Sequence, residues 1–317
     1  MLIPILDELQ ILNKLQNQTD SYLSEYYAFY SSWYGGIIKN PAFMLLPIDD
    51  HMVHRGDGVF EAMKSVGRAV YLMEEHLERL TISAEKIGLN LPYTHAKIKE
   101  IILETLRVAN QDDAMIRVFI SRGPGNFSVN PYDSIGSQMY VVITKLNPLP
   151  EVKYINGVTI GLSNVPVKDS WLAQIKSCNY LTNVLMKKEA VDRKLDFVIS
   201  VDDKGYISES ATENIMIVDQ NNVIVHPKLD NILKGTTMIR LFEIAQDNGI
   251  KTDVRSISLD DLINAPEIFI TGTTSDVLPV VQFENSIIGT GKPGSITEKI
   301  RALVLKDIQM GDHRTIF

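Results

Sequence analysis

Lys176 sits in the stretch QIKSCNYLTN, between Ile175 and the small residues Ser177 and Cys178. Apolar and small neighbours allow a lysine to be partly desolvated, which disfavours the ammonium form and lowers its pKa. A neutral amine attacks an aldehyde and forms a Schiff base. The plainer alternative is a surface lysine at a helix start, which is where the pattern places it. Glu209, in YISESATEN, falls at the end of a strand. A carboxylate there suits a protonated ring nitrogen, the form in which a pyridine ring acts as an electron sink. The alternative is a turn glutamate. Asn214 lies five residues further on. It would orient that acid or a water, or simply occupy a strand edge.

Two anion cradles follow in the chain. Leu233-Lys234-Gly235-Thr236-Thr237 directly precedes a helical pattern. Glycine lets the backbone approach a phosphate, helix N-terminal N–H groups point at it, and threonine hydroxyls add donors. Thr271-Gly272-Thr273-Thr274-Ser275 follows a strand and repeats that chemistry. Such clusters also cap helices with no ligand present. Arg79, in EEHLERLTISAEKIGL, offers a guanidinium fork that matches phosphate oxygens. Its alternative is a solvated arginine paired with Glu75 four residues earlier. GxxxxGK[ST] does not occur, so the phosphate reading is not that of a Walker-type nucleotide loop. His51 and His54 lack third and fourth partners and HExxH is missing, so no metal is expected. GxSxG is missing as well.

These groups must be held by elements the pattern also shows. Apolar residues at helical spacing run through residues 4–27, an N-terminal helical extension. Gly35-Gly36 marks a hairpin, and short strands alternate around Gly67. Helices are expected from Met73 to Ile87 and over residues 95–110. Strands are expected at Ala114–Ser121 and Gln138–Leu146. The loop between them, RGPGNFSVNPYDSIGS, is long for a compact domain, as functional loops often are. NPLPE at residues 147–151 reads as a linker. It separates a small N-terminal domain, residues 1–148 with the extension at 1–30, from a larger domain at 149–317. In the second half, strands are expected at Val158–Leu162, Phe197–Val201, Asn214–Val218 and Glu267–Thr271. A helix follows Lys176, another spans Thr236–Gly249, and a last one covers residues 295–309. The mixture lacks a regular βαβ series, so the fold class is α+β.

The chain has 317 residues, 45% hydrophobic and 22% charged, with a net charge of −8. Two domains of ordinary size fit that length. The acidic balance disfavours nucleic acid and anionic membrane as partners. A lone cysteine, Cys178, excludes an internal disulfide and suits a reducing compartment. The first residues lack the pattern of a signal peptide, and no apolar run spans a bilayer. A cytoplasmic location is expected.

Taken together, the segments resemble the class IV aminotransferases, enzymes of pyridoxal 5'-phosphate, from about residue 33 to 310. HLERLTISAEKIGLNLPYT, QIKSCNYLTNVLMKKEA, ILKGTT and TGTTSDVLPV are similar to D-amino-acid aminotransferases. LPIDDHMVHRGDGVFE and SRGPGNF are closer to the plant-type D-amino-acid aminotransferase and aminodeoxychorismate lyase group. The resemblance implies a two-domain fold-type IV subunit with the cofactor between domains, and a homodimer whose sites are shared. It implies that Lys176 is the Schiff-base lysine and moves the α-proton. Glu209 would partner the pyridine nitrogen, Tyr180 the phenolic oxygen, and Arg79 the phosphate. Gly235, Thr236 and Thr237 would form the helix-start cradle, with Thr273 and Thr274 as the second loop. Bacterial D-specific members hold the substrate carboxylate with an Arg-x-His pair that residues 126–130 lack. Arg55 from the partner subunit, helped by Arg122, is the expected substitute, since a carboxylate needs a fork of donors. The bland reading of Arg55 is a turn arginine paired with Asp57. Met238 stands where many relatives have arginine. The expected reaction moves an amino group between a D-amino acid, such as D-alanine, and a 2-oxo acid, such as 2-oxoglutarate. The alternatives are 4-amino-4-deoxychorismate lyase and branched-chain L-amino-acid aminotransferase.

Overall fold

The computed structural model describes residues 2–168 and 170–317. The strands are β1 (Tyr26–Ser31), β2 (Gly36–Ile38), β3 (Gly58–Val66), β4 (Ala69–Tyr71), β5 (Ala114–Ser121), β6 (Gln138–Lys145), β7 (Val158–Leu162) and β8 (Phe197–Val201). They continue as β9 (Ile207–Ser210), β10 (Asn214–Val218), β11 (Ile224–His226), β12 (Thr252–Val254), β13 (Glu267–Gly272), β14 (Asp276–Phe283), β15 (Ser286–Ile287) and β16 (Arg314–Ile316). The helices are α1 (Glu8–Gln16), α2 (His51–Arg55), α3 (Met73–Lys86), α4 (His95–Ala109), α5 (Glu151–Asn156), α6 (Ser170–Ala173), α7 (Leu181–Asp192), α8 (Thr236–Asp247), α9 (Leu259–Ile263) and α10 (Ser295–Met310).

Two sheets result, with the α+β character expected. The first has seven strands in the order β16-β4-β3-β5-β6-β1-β2. The second runs β12-β11-β10-β13-β14-β7-β8-β9, with β15 on β14. The chain passes from one sheet to the other between β6 and α5. It then crosses back at its end, where β16 pairs antiparallel with β4. The apolar spacing of α3 and α4 explains their place on the first sheet. Leu77, Leu80, Ala84, Ile98, Ile102 and Leu106 are buried there with Met63, Ile116 and Val141. In the second sheet, β10 is buried on both faces, as a continuous apolar run requires. Ile215 and Ile217 face one core, while Met216 and Val218 face another built with α8 and α10.

The strand that matters most for function is β3. It has nine residues, but β4 pairs only with Ser65 and Val66. The N-terminal half of its edge is therefore free, and the segment around Lys176 takes it. The Phe60 N–H donates to the Lys176 carbonyl at 2.9 Å, and the Cys178 N–H to the Gly58 carbonyl at 2.8 Å. Gly58 also lies close against β5, where an ideal Cβ would come 2.8 Å from the Ile120 carbonyl oxygen. Lys176 thus lies beside Ser177, which forms a bridge to Val59 of β3; the helix expected to begin at it starts at Leu181.

The N-terminal extension also differs from a continuous helix. Asp7 starts α1 with a capping box, and Asn17 ends it. A short 3-10 turn follows at Ser21–Glu25, and Tyr26 already belongs to β1. The aromatic run YYAFY pairs with β6 instead of coiling, as its β-propensity favours. Among the described residues, no helix is long and apolar enough to cross a membrane.

Candidate active site

One cavity of about 600 Å³, counting its open mouth, lies between the two sheets. It gathers Arg79 from α3, Lys176 from the docked segment, Tyr180, Glu209 from β9 and Asn214 from β10. Gly235, Thr236 and Thr237 at the start of α8 close one end, with Thr271, Gly272 and Thr273 beside them. Residues far apart in sequence therefore line one cavity.

Lys176 projects its ammonium over two aromatic faces, 4.7 Å from the Phe60 ring centre and 5.8 Å from that of Tyr180. Burial, then the nearby Arg79 charge, pushes its pKa down from 10.5 to about 8. Glu209 moves the other way. Burial raises its carboxyl from 4.5 to about 7, against a hydrogen bond from the Leu233 N–H and the charge of Lys176. Burial and the charge of Glu209 also raise the Tyr180 phenol, which stays protonated and able to donate.

Arg79 is not paired with Glu75, which instead meets His313 at 2.5 Å. Its Nε and Nη2 donate to the Glu61 carboxylate at 2.6 and 2.7 Å, and Nη1 donates to the Lys234 carbonyl at 2.9 Å. Glu61 is 0% exposed and also takes His76 Nδ1 at 2.6 Å. His76 Nε2 in turn lies 3.2 Å from the Thr236 hydroxyl. Asn214 makes no hydrogen bond to Glu209. Its amide donates to the Leu233 carbonyl at 3.1 Å, so both residues hold the loop that leads to α8. A side chain at Gly235 would have to displace Asn214, because an ideal Cβ would fall 2.0 Å from its Oδ1.

The other expected residues lie elsewhere. Thr274 is exposed and outside the cavity lining. Arg122 binds both oxygens of Asp57 at 3.0 Å and the carbonyls of Ile87 and Gly88. Arg55 is exposed, and its Nη2 donates to the Phe127 carbonyl at 2.7 Å in the long 122–137 loop. Asp57, the partner in its bland reading, is taken by Arg122 and His51. Met238 is buried in the core under α8.

Residues the sequence reading did not single out are Glu61, His76 and Lys168. His76 and Arg79 are one helical turn apart on α3, a spacing that marks a shared face. Nothing in the sequence brings Glu61 to them, because that contact depends on β3 lying beneath α3. Lys168 lines the cavity with its ammonium 4.9 Å from the Tyr180 ring centre.

The donor set fits a phosphorylated pyridine aldehyde. Backbone N–H groups at α8, threonine hydroxyls and Arg79 sit at one end. The Lys176 amine, with its lowered pKa, and the Glu209 acid, with its raised one, share the same lining, both half-buried. The sequence model of the amino-transferase class IV family matches residues 58–283. The chain belongs to that family. It is a pyridoxal-phosphate-dependent enzyme accordingly. The D-amino-acid transaminase, chloroplastic, of Arabidopsis thaliana is 32% identical over 98% of this chain and 83% of that protein. A putative branched-chain-amino-acid aminotransferase of Methanocaldococcus jannaschii is 34% identical over 82% of this chain and 90% of its own. The D-alanine aminotransferase of Bacillus licheniformis is 29% identical over 85% and 94%. In fold, the chain is similar to the branched-chain aminotransferase of the thermophilic archaeon Thermoproteus uzoniensis, solved with norvaline. Their TM-score is 0.84 at 23% identity, covering 92% of this chain and 99% of that one.

Proposed function

We propose that this class IV aminotransferase moves an amino group between a D-amino acid, such as D-alanine, and a 2-oxo acid, such as 2-oxoglutarate. Lys176 carries the reading. It is a half-buried amine, brought to about 8, in one cavity with an acid and a phosphate-type cradle. A substantial fraction of it is neutral near physiological pH, so its Nζ can bind the cofactor's aldehyde and later take and return the substrate's α-proton. The cofactor, when bound, supplies the electron-withdrawing ring that makes that proton acidic. Glu209 would hold the charge of the ring nitrogen, and Tyr180 would donate to the phenolic oxygen. Arg79, Gly235, Thr236, Thr237 and Thr273 would receive the phosphate, with Thr274 flanking that loop.

The choice of D-amino acids rests on the Arabidopsis relative, which aligns with nearly the whole chain, and on the D-alanine aminotransferases. A branched-chain L-amino acid is the second reading, favoured by the 34% identity to the Methanocaldococcus protein. We further propose a cytoplasmic homodimer in which Arg55 reaches the partner's cavity and anchors the substrate carboxylate. Its exposure and its hold on the 122–137 loop support that role. Arg122 contributes by position, fixing Asp57 and the loop's base, because most of its donors are already engaged.

A half-reaction screen tests the substrate. Holoenzyme mixed singly with D-alanine, L-leucine and both hands of glutamate is followed by its visible cofactor absorption. D-alanine should bleach the band fastest. Bleaching by L-leucine and not by D-alanine would overturn the D-specific reading and favour the second.

A further inference from the structure

The chain Glu61–His76–Thr236 has a proton polarity that a phosphate would have to reverse. Glu61 is an ionised carboxylate, held far below its usual range by Arg79 and His76 although burial opposes this. A carboxylate only accepts, so His76 Nδ1 must carry hydrogen toward it. In a neutral ring, Nε2 is then a bare acceptor, and the Thr236 hydroxyl must spend its hydrogen on it. That leaves Thr236 showing only lone pairs to the cavity. Burial keeps His76 on the neutral side, against Glu61, with Arg79 and Lys176 adding to the effect.

The charges point the same way. Arg79 is matched by Glu61 at 2.6 and 2.7 Å, so the pair presents little net charge to an incoming dianion. The titratable groups facing His76 are Glu61 from β3, Arg79 from its own helix and Lys176 from the docked segment. Thr236 from α8 closes the fourth side. Glu209 reaches it only through Arg79 and Lys176.

We infer that His76 takes a proton from solvent when a phosphate group binds at the start of α8, so that Nε2–H donates to Thr236 and the Thr236 hydroxyl donates to the phosphate. This rests on the phosphate cradle proposed above. One proton enters for one phosphate bound, and no bond is broken beyond the hydrogen bond that reverses. Glu61 and His76 are thus positioning residues: they set the direction of a hydroxyl that touches the ligand, and they do not touch it themselves.

The test uses methyl phosphate, which cannot react with Lys176 and is a dianion at pH 8, its second pKa being about 6. Titration calorimetry of the full apo chain, in buffers of different ionisation enthalpy, counts protons taken up on binding. Lys176 and Glu209 contribute in any variant, so the comparison is with His76→Gln, which keeps hydrogen-bonding ends but gains no proton. Wild type should take up about one proton more than H76Q, the linkage expected of a single titrating site. Equal uptake would overturn the inference and leave the cradle standing. Failure of methyl phosphate to bind, or to compete with pyridoxal phosphate, would overturn both. Nitrogen NMR of ring-labelled histidine in wild type decides the matter if H76Q does not fold. On binding, one histidine should move to the imidazolium pattern; no such change would overturn the inference.

Discussion

An ammonium at Lys176 loses water to the Phe60 and Tyr180 rings and faces the guanidinium of Arg79. Glu61 and Glu209 offset this only in part. Glu209 carries the complementary strain, a carboxyl whose folded pKa of about 7 stands above its ordinary 4.5. For an acid with a raised folded pKa, the favourable contribution is complete below 4.5 and is lost as pH rises through about 7. The apo chain above neutrality therefore holds a destabilising charge there. Glu209→Gln should stabilise the apo chain at pH 8 by on the order of 2 kcal/mol, a gain that shrinks as pH falls toward 5. It should also lower transamination sharply, since the ring nitrogen loses its counter-charge. Urea unfolding at both pH values measures the first effect; an E209Q chain less stable at pH 8 would contradict it. At this scale the sequence was informative about residue types. Neighbours and spacing name Lys176, Glu209, Arg79 and the two Gly-Thr loops as candidates, but it is the family resemblance, not the spacing, that sets them above their plainer readings. Glu61 is not among them, because a glutamate inside a strand shows its meaning only when a helix is laid across it.

The elements aim these groups. α8 points its first N–H groups into the cavity, and Gly235 allows the loop before it to pass Asn214. Gly235→Ala has to displace the Asn214 amide, which also holds Leu233. Destabilisation of about 1–3 kcal/mol is expected from such overpacking. Pyridoxal-phosphate dissociation should rise at least about tenfold, an electrostatic loss of some 1.4 kcal/mol at the cradle. Equilibrium dialysis of G235A gives that constant; unchanged affinity would show that the Asn214–Gly235 contact does not shape the cradle. Helical spacing made α3, α4, α8 and α10 readable, with ends displaced by a residue or two. β14 was not readable, because DVLPVVQF carries Pro279, and a proline inside a run argues against a central strand. The fold accommodates it because β7 takes up the other edge only from Val280 onward. The position of Lys176 was misjudged for a related reason. The free edge of β3 that captures it belongs to a strand more than a hundred residues away.

The molecule as a whole is closed by contacts that sequence order hides. Lys64 on β3 meets Asp276 on β14 at 2.5 Å, both largely buried, and so ties one sheet to the other. The C-terminal segment returns to the first sheet. There β16 covers β4, the His313 carbonyl accepts from the Leu72 N–H, and His313 meets Glu75. Leu72 and Glu75 begin α3, the helix that carries His76 and Arg79. Truncation before Asp312 should therefore lower Tm and weaken cofactor binding together, although no deleted residue lines the cavity. Thermal melts with and without pyridoxal phosphate would show this; a truncated chain with unchanged cofactor stabilisation would contradict the coupling. The α+β character was legible from the sequence, but this closing strap was not, since three residues at a chain end carry no periodic signal.

Two lysines share the cavity, and only one should hold the cofactor. Lys168 lies in the loop before α6, its ammonium over Tyr180, and burial lowers its pKa as well. Lys176 is the one held by backbone pairing to β3 and faced by Arg79, Glu61 and Glu209. Borohydride reduction of the holoenzyme, followed by peptide mass spectrometry, tests this directly. A pyridoxyl group is expected on Lys176 and absent from Lys176→Ala. A pyridoxyl group on Lys168 in the wild-type chain, or none on either lysine, would contradict it.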